Sequence, residues 1–175
     1  MLFGIMNTPL HKEKFVQLIH ENKGIIYKIC ISYCANKNHR DDLAQEIVYN
    51  LWKSYKNFNP ALKFSTWMYR IALNVAISFY RKENKSGNYI PFSEDLIVFE
   101  ESKEAAVETE KHISHLQAFI SELKEIDKSI MLLYLDDKSY KEIAEITGIT
   151  ETNVATKINR IKDKLKNHFS NHKNN

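Results

Sequence analysis

The chain has 175 residues with 4 Gly and 3 Pro, about 4% against about 12% in average usage. This scarcity argues against β-sandwiches, barrels and α/β folds, which need Gly- or Pro-containing turns at almost every strand end. Hydrophobic residues at 43% and charged residues at 27% are ordinary for a folded globular protein, so we expect an all-α fold.

Net charge differs strongly between three segments of the chain. Residues 1–86 carry 13 Lys and Arg and 6 Asp and Glu, which gives +7. Residues 87–110 carry 1 and 7, which gives −6, and residues 111–175 carry 11 and 9, which gives +2. The total of +3 therefore hides two basic segments joined by an acidic one, and for a nucleic-acid binder the distribution matters more than the sum.

The N-terminal stretch and the two cysteines indicate the cellular compartment of the protein. Residues 1–6 lack a basic start and are too short for a signal peptide, and the run 130–135 is too short to span a bilayer. We expect a cytoplasmic protein without membrane insertion. Cys30 and Cys34 share one helix face, where Cys usually behaves as a small buried hydrophobe. Burial is favoured over zinc, because zinc needs four ligands and only His39 lies close in sequence.

From residue 12 to residue 85 the apolar residues recur at helical spacing, which predicts a bundle of about four helices. Asp41 is the expected N-cap of the third helix, and residues 57–60 end it. The outer face of this helix gathers an acidic and polar stripe: Asp42, Gln45, Glu46 and Tyr49. Because an acidic stripe on a basic domain repels DNA locally, it fits a basic protein surface better.

Aromatic and basic residues alternate in the next helix, for which Thr66 is the expected cap. One stripe carries Trp67, Arg70, Asn74 and Arg81, and the other side carries Met68, Ile71, Ala72, Val75 and Phe79. Such interleaving suits single-stranded DNA, because bases stack on rings while cations follow the backbone. The preceding loop, with Phe58, Asn59 and Lys63, could receive a flipped base. The alternative, that Phe64, Trp67 and Tyr69 fill the core, is equally compatible with composition.

Residues 86–110 combine breakers with acidic residues, which indicates a solvated linker or exposed helix and a domain boundary. The helical period returns from His112, and the polar tail after Phe169 is expected to fray.

Residues 139–160 predict a helix-turn-helix. Ser139 and Glu142 form a capping box, Gly148 stands where a positive-φ residue is needed, and Thr150 caps the second helix. Val154, Ile158, Ile161 and Leu165 form its inward stripe. The opposite face presents Thr152, Thr156, Asn159 and Arg160, flanked by Asn153 and Lys157. Arg and Asn suit base edges, whereas the lysines suit phosphates: Lys157, Lys162, Lys164 and Lys166. The alternative is an ordinary amphipathic helix with a solvated face.

Three motifs together resemble one family. Asp-Asp-Leu-Ala-Gln-Glu (41–46), Phe-Ser-Thr-Trp-Met-Tyr-Arg-Ile-Ala-Leu-Asn (64–74) and Ser-Tyr-Lys-Glu-Ile-Ala-Glu-Ile-Thr-Gly-Ile-Thr (139–150) are similar to the sigma-70 family of RNA polymerase sigma factors. The similarity is to its short extracytoplasmic-function (ECF) group.

This resemblance implies two small helical domains joined by an acidic linker. Residues 1–85 would form sigma region 2, residues 86–111 the linker, residues 112–170 region 4 and residues 171–175 a polar tail. It also implies that the helix of residues 41–52 docks on core RNA polymerase, and that the helix from Glu151 reads the −35 promoter element.

The resemblance further implies that the loop and helix of residues 58–82 open the −10 element and capture a flipped base. The implied contacts are Phe58, Asn59, Pro60, Lys63, Phe64, Trp67, Arg70, Asn74, Arg81 and Lys82. An anti-sigma factor is a possible partner. Ala155 departs from the family, which often has Arg there, and Asp127-Lys128 replaces the commoner Asp-Arg.

Two other classes of function fit the sequence less well. An enzyme is not favoured, because no phosphate-cradling loop, nucleophile elbow or metal-ligand cluster is evident, and His11, His20 and His39 are isolated. No cofactor or metal is expected. The competing class is a conventional helix-turn-helix regulator that binds duplex operator DNA as a dimer without replacing a sigma subunit.

Overall fold

The computed structural model describes residues 9–34, 36–85, 116 and 118–172, and all regular secondary structure in these ranges is helical. This confirms the all-α expectation. The chain divides into two compact units, Met1–Ile90 and Pro91–Asn175. The predicted acidic linker, with Gly87 and Pro91, lies outside the described residues, as does the stretch 1–6. Within the described ranges, no helix has both the length and the apolar character to cross a membrane.

The described part of the first unit contains four helices, as its apolar periodicity predicts. They are α1 (Pro9–Glu21), α2 (Lys23–Tyr33), α3 (Lys37–Tyr55) and α4 (Phe64–Lys85). Helix α4 packs against α2 and α3, and α1 packs against α3. The core is formed by side chains with at most 1% exposure, among them Ile29, Leu43, Ile47, Leu51 and Met68.

Two predicted caps in this unit are wrong. Helix α3 begins at Lys37, where the Asn36 side chain accepts a hydrogen bond from the Asn38 amide at 3.0 Å. Asp41 therefore lies inside the helix, because Asn caps as well as Asp and stands earlier in the chain. Thr66 lies in the first turn of α4, which begins at Phe64.

The buried face of α4 is rotated from the predicted one. Tyr69 and Leu73 are buried, whereas Ile71 and Val75 are half-buried. Small Ala72 and Ala76 are fully buried beside them, so α4 makes its close approach to α2 and α3 along the line 69–72–73–76.

Cys30 and Cys34 lie in the core, as their spacing predicts. Burial raises the pKa of Cys30 to about 12, and burial together with nearby Glu83 raises that of Cys34 to about 11. The Cys34 amide ends α2 by donating to the Cys30 carbonyl at 2.9 Å. No group of three His, Cys, Asp or Glu side chains in the described part of the chain is arranged to hold a metal ion.

The second unit is a smaller helical assembly. Residues 118–122 are helical and are followed by α5 (Glu125–Leu135), α6 (Tyr140–Thr147) and α7 (Glu151–His172). One core cluster joins the segment before α5 to α5 and α7: Phe119, Ile120, Leu123, Met131 and Ile161. Helix α7 continues to His172, three residues past Phe169, and fraying of the polar tail stays a prediction.

The turn between α6 and α7 has the predicted chemistry. Ser139 Oγ accepts a hydrogen bond from the Glu142 amide at 3.2 Å, and Glu142 Oε2 accepts one from the Ser139 amide at 3.0 Å. Gly148 ends α6 with φ +74°. Thr150 Oγ1 accepts from the Asn153 amide at 3.2 Å at the start of α7. All three helix-turn-helix signals are therefore confirmed.

Gly148→Ala is expected to destabilise the second unit by about 1–2 kcal/mol. A Cβ at Gly148 would meet nothing within 4 Å, so the cost comes from the left-handed backbone alone. Gly24→Ala is the matched control, because Gly24 is helical, lacks a positive φ and also has open space around it. That change should be neutral or stabilising. Urea unfolding followed by circular dichroism measures both, and equal effects would contradict the assignment.

Buried Lys128 should make the free energy of unfolding depend on pH. It is 2% exposed, and burial lowers its pKa to about 8 against an opposing effect of Glu125. Between about pH 8 and 10.5 the unfolded lysine keeps its proton and the folded one does not. The unfolded state therefore binds more protons, and the free energy of unfolding rises with pH across this window.

The Lys128→Met variant isolates this effect. Urea titrations of both proteins at several pH values, followed by circular dichroism, should give a steeper rise between pH 8 and 10.5 for the unaltered chain. Parallel pH profiles would show that Lys128 keeps its ordinary pKa in the folded protein.

Candidate protein and nucleic-acid interfaces

The acidic stripe of α3 is exposed as a continuous surface. Asp42, Gln45, Glu46 and Tyr49, called here the α3 acidic face, are all exposed, and Tyr49 is 63% exposed. They lie on one side because helical residues three and four apart are neighbours. The opposite side holds Leu43, Ile47 and Leu51, each 0% exposed. The core therefore fixes which way this face points.

A groove that the sequence reasoning missed runs beside the α3 acidic face. It lies between α1 and α3 and has a volume of about 540 Å³. Its lining residues are Lys12, Phe15, Val16, Ala44, Gln45, Val48, Tyr49 and Trp52. Gln45 and Tyr49 belong to both surfaces. The sequence signal is an apolar residue, Val16, directly after apolar Phe15. In the structure Phe15 is buried, whereas Val16 is 55% exposed.

Four aromatic side chains form a cluster where α3, the following loop and α4 meet. The ring centroid of Trp67 lies 5.1 Å from Phe58 and 5.3 Å from Phe64, and Tyr55 stacks on Phe58 at 6.1 Å. Phe58, Phe64 and Trp67 are half-buried, whereas Tyr69 is 3% exposed. Tyr69 is thus a core residue. The side chains of Phe58, Phe64 and Trp67 both support the fold and present ring surface to solvent.

The loop of residues 56–63 is shaped by Asn59. Its side-chain oxygen accepts a hydrogen bond from the Ala61 amide at 3.0 Å, and its carbonyl accepts one from the Leu62 amide at 3.0 Å. Asn59, Pro60 and Lys63 are exposed beside the aromatic cluster. These hydrogen bonds organise the loop before any ligand binds.

Polar and basic side chains continue from this cluster along α4. Arg70, Asn74, Arg81 and Lys82 are all exposed. With a rise of 1.5 Å per residue, the distance along the helix from Trp67 to Arg81 is about 21 Å. Rings at one end and cations along the rest give the combination that a single strand requires.

The outer face of α7 presents five of the six predicted DNA contacts. Thr152, Asn153, Thr156, Asn159 and Arg160 are exposed, while Val154, Ile158 and Ile161 on the inner face are at most 2% exposed. Thr156 Oγ1 donates to the Thr152 carbonyl at 2.9 Å, so its oxygen lone pairs remain available.

Lys157 differs from the other five. It is half-buried, and its Nζ donates to Asp127 Oδ1 on α5 at 2.6 Å. The ammonium group is therefore directed to the supporting helix. Lys162 also turns to α5, with its Nζ 2.7 Å from the Tyr134 hydroxyl and 4.5 Å from the ring centroid. Two lysines thus hold α7 against α5.

Comparisons with known proteins identify two family models in the chain. Residues 18–86 match the family model Sigma-70 region 2, and residues 115–165 match Sigma-70, region 4. The chain is 29% identical over 166 residues to the ECF RNA polymerase sigma factor SigW of Bacillus subtilis, which covers 89% of this chain and 88% of that protein.

Two solved structures share the fold. One is CnrH in complex with the cytosolic domain of CnrY, with a TM-score of 0.65, 19% identity and coverage of 91% of this chain and 89% of that one. The other is the sigma factor RpoE in complex with the anti-sigma factor NepR from Bartonella quintana, with a TM-score of 0.65, 15% identity and coverage of 93% and 98%.

Two different sigma-70 regions thus match in succession and span most of the chain. The chain belongs to the sigma-70 family of RNA polymerase sigma factors. Its full-length similarity to SigW places it in the ECF group of that family. The competing interpretation, a conventional helix-turn-helix regulator, is not favoured.

Proposed function

We propose that this chain binds core RNA polymerase through the α3 acidic face, opens the −10 element with the aromatic cluster and α4, and reads the −35 element with α7. It acts in the cytoplasm as a specificity subunit and performs no catalytic chemistry of its own. The observation that carries the proposal is the partly exposed ring cluster of Phe58, Phe64 and Trp67, which adjoins a preorganised loop and a basic helix face.

The α3 acidic face supports the docking role through its charge. Asp42 and Glu46 project from a segment whose net charge is +7. A DNA backbone would be repelled there, while a basic protein surface would be attracted. Tyr49 adds an amphipathic side chain of the kind enriched in protein interfaces. We propose that this basic surface lies on core polymerase.

Strand opening requires the protein to compensate for lost base stacking. Extruding a base costs a few kcal/mol, and stacking a base on an aromatic ring returns about 1–3 kcal/mol. Trp67 and Phe58 offer that ring surface, and the loop at Asn59, Pro60 and Lys63 offers a place for the extruded base. Arg70, Asn74, Arg81 and Lys82 would follow the strand backbone.

The proposed duplex contact is the exposed face of α7. Arg160 suits guanine and Asn153 or Asn159 suits adenine, because these side chains can bond two base-edge atoms together. Lys164 and Lys166 are exposed further along α7 and suit phosphates. Half-buried Ala155 offers no hydrogen bond, so the −35 sequence should differ from that of family members with Arg there.

An anti-sigma factor is the proposed regulatory partner. The RpoE and CnrH structures each contain a second protein, NepR in one and the cytosolic domain of CnrY in the other. The shared fold supports the proposal that a protein of this kind also binds this chain.

Transcription with purified components tests the function. Core polymerase, this chain and a promoter library should give initiation at a defined subset of promoters, and polymerase without the chain should give none. The chain alone should bind duplex DNA weakly. Tight dimeric binding to duplex DNA without polymerase-dependent initiation would instead support a conventional regulator.

A further inference from the structure

Two lysines of α7 that the sequence assigns to DNA phosphates are held by α5 instead. Lys157 Nζ donates to Asp127 Oδ1 at 2.6 Å, and the two side chains are only 32% and 19% exposed. Lys162 Nζ lies 2.7 Å from the Tyr134 hydroxyl and 4.5 Å from the centroid of the same ring. The contacts join positions 30 and 28 residues apart, so they belong to the tertiary structure and not to α7 alone.

The two lysines flank the buried stripe of α7. At 100° per residue, the stripe is centred midway between Ile158 and Ile161, which are 0% and 2% exposed. Lys157 lies about 70° to one side of this direction, and Lys162 lies about 70° to the other side. Rotation of α7 about its axis, in either direction, therefore stretches one of the two contacts with α5.

The partners on α5 also fix the position of α7 along its length. Asp127 and Tyr134 are two helical turns apart, which is about 10.5 Å along α5. Lys157 and Lys162 are about 7.5 Å apart along α7. Because the two contacts lie at different heights on both helices, together they define a register that one contact would leave free.

The orientation of α7 matters because base reading depends on the placement of side-chain ends. These ends lie about 5–6 Å from the helix axis, so a rotation of about 15° moves them by about 1.5 Å. A hydrogen bond of about 2.7–3.2 Å does not survive such a displacement. Asn159 and Arg160 on the exposed face of α7 would lose their base contacts in this way.

We propose that Asp127 and Tyr134 are positioning residues for promoter discrimination. They hold Lys157 and Lys162, so that α7 keeps the orientation in which its outer face reads bases, and these two lysines do not contact phosphates. This role rests on the proposed function of α7, and it places determinants of sequence preference on a helix that does not itself read the bases.

The salt dependence of duplex binding separates phosphate contacts from positioning lysines. Each neutralised phosphate contributes about 0.9 to the slope of log K against log salt concentration. Lys164 and Lys166 are exposed on α7, so Lys164→Met with Lys166→Met should make the slope shallower by about 0.9–1.8. Lys157→Met and Lys162→Met should each leave it nearly unchanged. Anisotropy of a short labelled duplex titrated with the full chain measures all four slopes, including that of the unaltered chain.

The slopes have two other informative outcomes. If Lys157→Met flattens the slope by about 0.9, Lys157 is a phosphate contact and the proposal is overturned, while duplex binding by α7 stands. If none of the variants changes the slope, α7 does not bind the duplex, and the proposed function of α7 fails together with the proposal.

Reversal of the Asp127–Lys157 pair tests positioning directly. Asp127→Lys should reduce the ratio of affinities for a duplex with a functional −35 element and one with a scrambled element by about fivefold or more, the loss expected from one misplaced base contact. Asp127→Lys with Lys157→Asp should restore most of this ratio. A partly unfolded sample does not change the ratio, because the unfolded fraction lowers both affinities equally.

Glu122→Lys is the matched control for charge. Glu122 is exposed in the segment before α5, and its reversal changes the net charge as much as Asp127→Lys does. It should leave the affinity ratio unchanged, because a charge that does not reach base edges acts independently of sequence. An unchanged ratio for Asp127→Lys, or a reversed pair that does not restore it, would overturn the proposal even where the chain directs polymerase-dependent initiation. Absence of such initiation would contradict the proposed function instead.

Discussion

The Trp67→Leu variant should reduce open-complex formation by about 5- to 150-fold. This range corresponds to the loss of one base stacked on the ring, at about 1–3 kcal/mol. Leu keeps apolar contact with Phe58 and Phe64, whose centroids lie 5.1 and 5.3 Å from that of Trp67. The variant therefore removes the aromatic face while retaining much of the packing.

Trp67→Phe is the matched variant, because it restores an aromatic face at the same position. It should recover most of the opening that Trp67→Leu loses. Permanganate modification of unpaired thymines in the −10 element measures opening, and a filter assay at equal temperature measures binding of each variant to core polymerase. If Leu and Phe at position 67 open promoters equally, stacking on this side chain is not part of the mechanism.

Glu46→Lys should weaken binding of core polymerase by about 100-fold. Like charges placed together across an interface cost several kcal/mol, and Glu46 is exposed in the middle of the α3 acidic face. The fold should not change, because Glu46 is exposed, whereas the core contacts of α3 are made by fully buried Leu43 and Ile47.

Glu21→Lys is the control for total charge. Glu21 is exposed at the end of α1, and its carboxylate accepts a hydrogen bond from the Gln17 side chain at 2.9 Å. Both variants change the net charge equally, so anisotropy of a labelled chain titrated with core polymerase should show a large loss for Glu46→Lys alone. Similar losses would indicate a long-range charge effect and remove the docking assignment.

The helix-turn-helix was predictable in detail because its determinants are local. Ser139 with Glu142, Gly148 and Thr150 each satisfy a backbone requirement within a few residues. The exposure of the α3 acidic face was predictable for the same reason, since Leu43, Ile47 and Leu51 mark the opposite side of one helix.

Features that depend on distant segments were not predictable. The sequence predicts Lys157 as a DNA contact but does not show that Asp127, 30 positions away on α5, lies 2.6 Å from its Nζ. The groove beside the α3 acidic face depends on how α1 packs against α3, which periodicity does not define. The rotation of α4 likewise follows from its close packing at Ala72 and Ala76.

Because Cys30 and Cys34 are buried, oxidation of their thiols reports unfolding of the first unit. The thiolate is the reactive form of cysteine, and burial holds the pKa values of Cys30 and Cys34 at about 12 and about 11. In the folded first unit these buried thiols should therefore react only slowly with oxidants and alkylating reagents at neutral pH. Each modified thiol would mark a molecule whose α2 had opened, so the extent of labelling over time reports how often this half of the protein loses its structure.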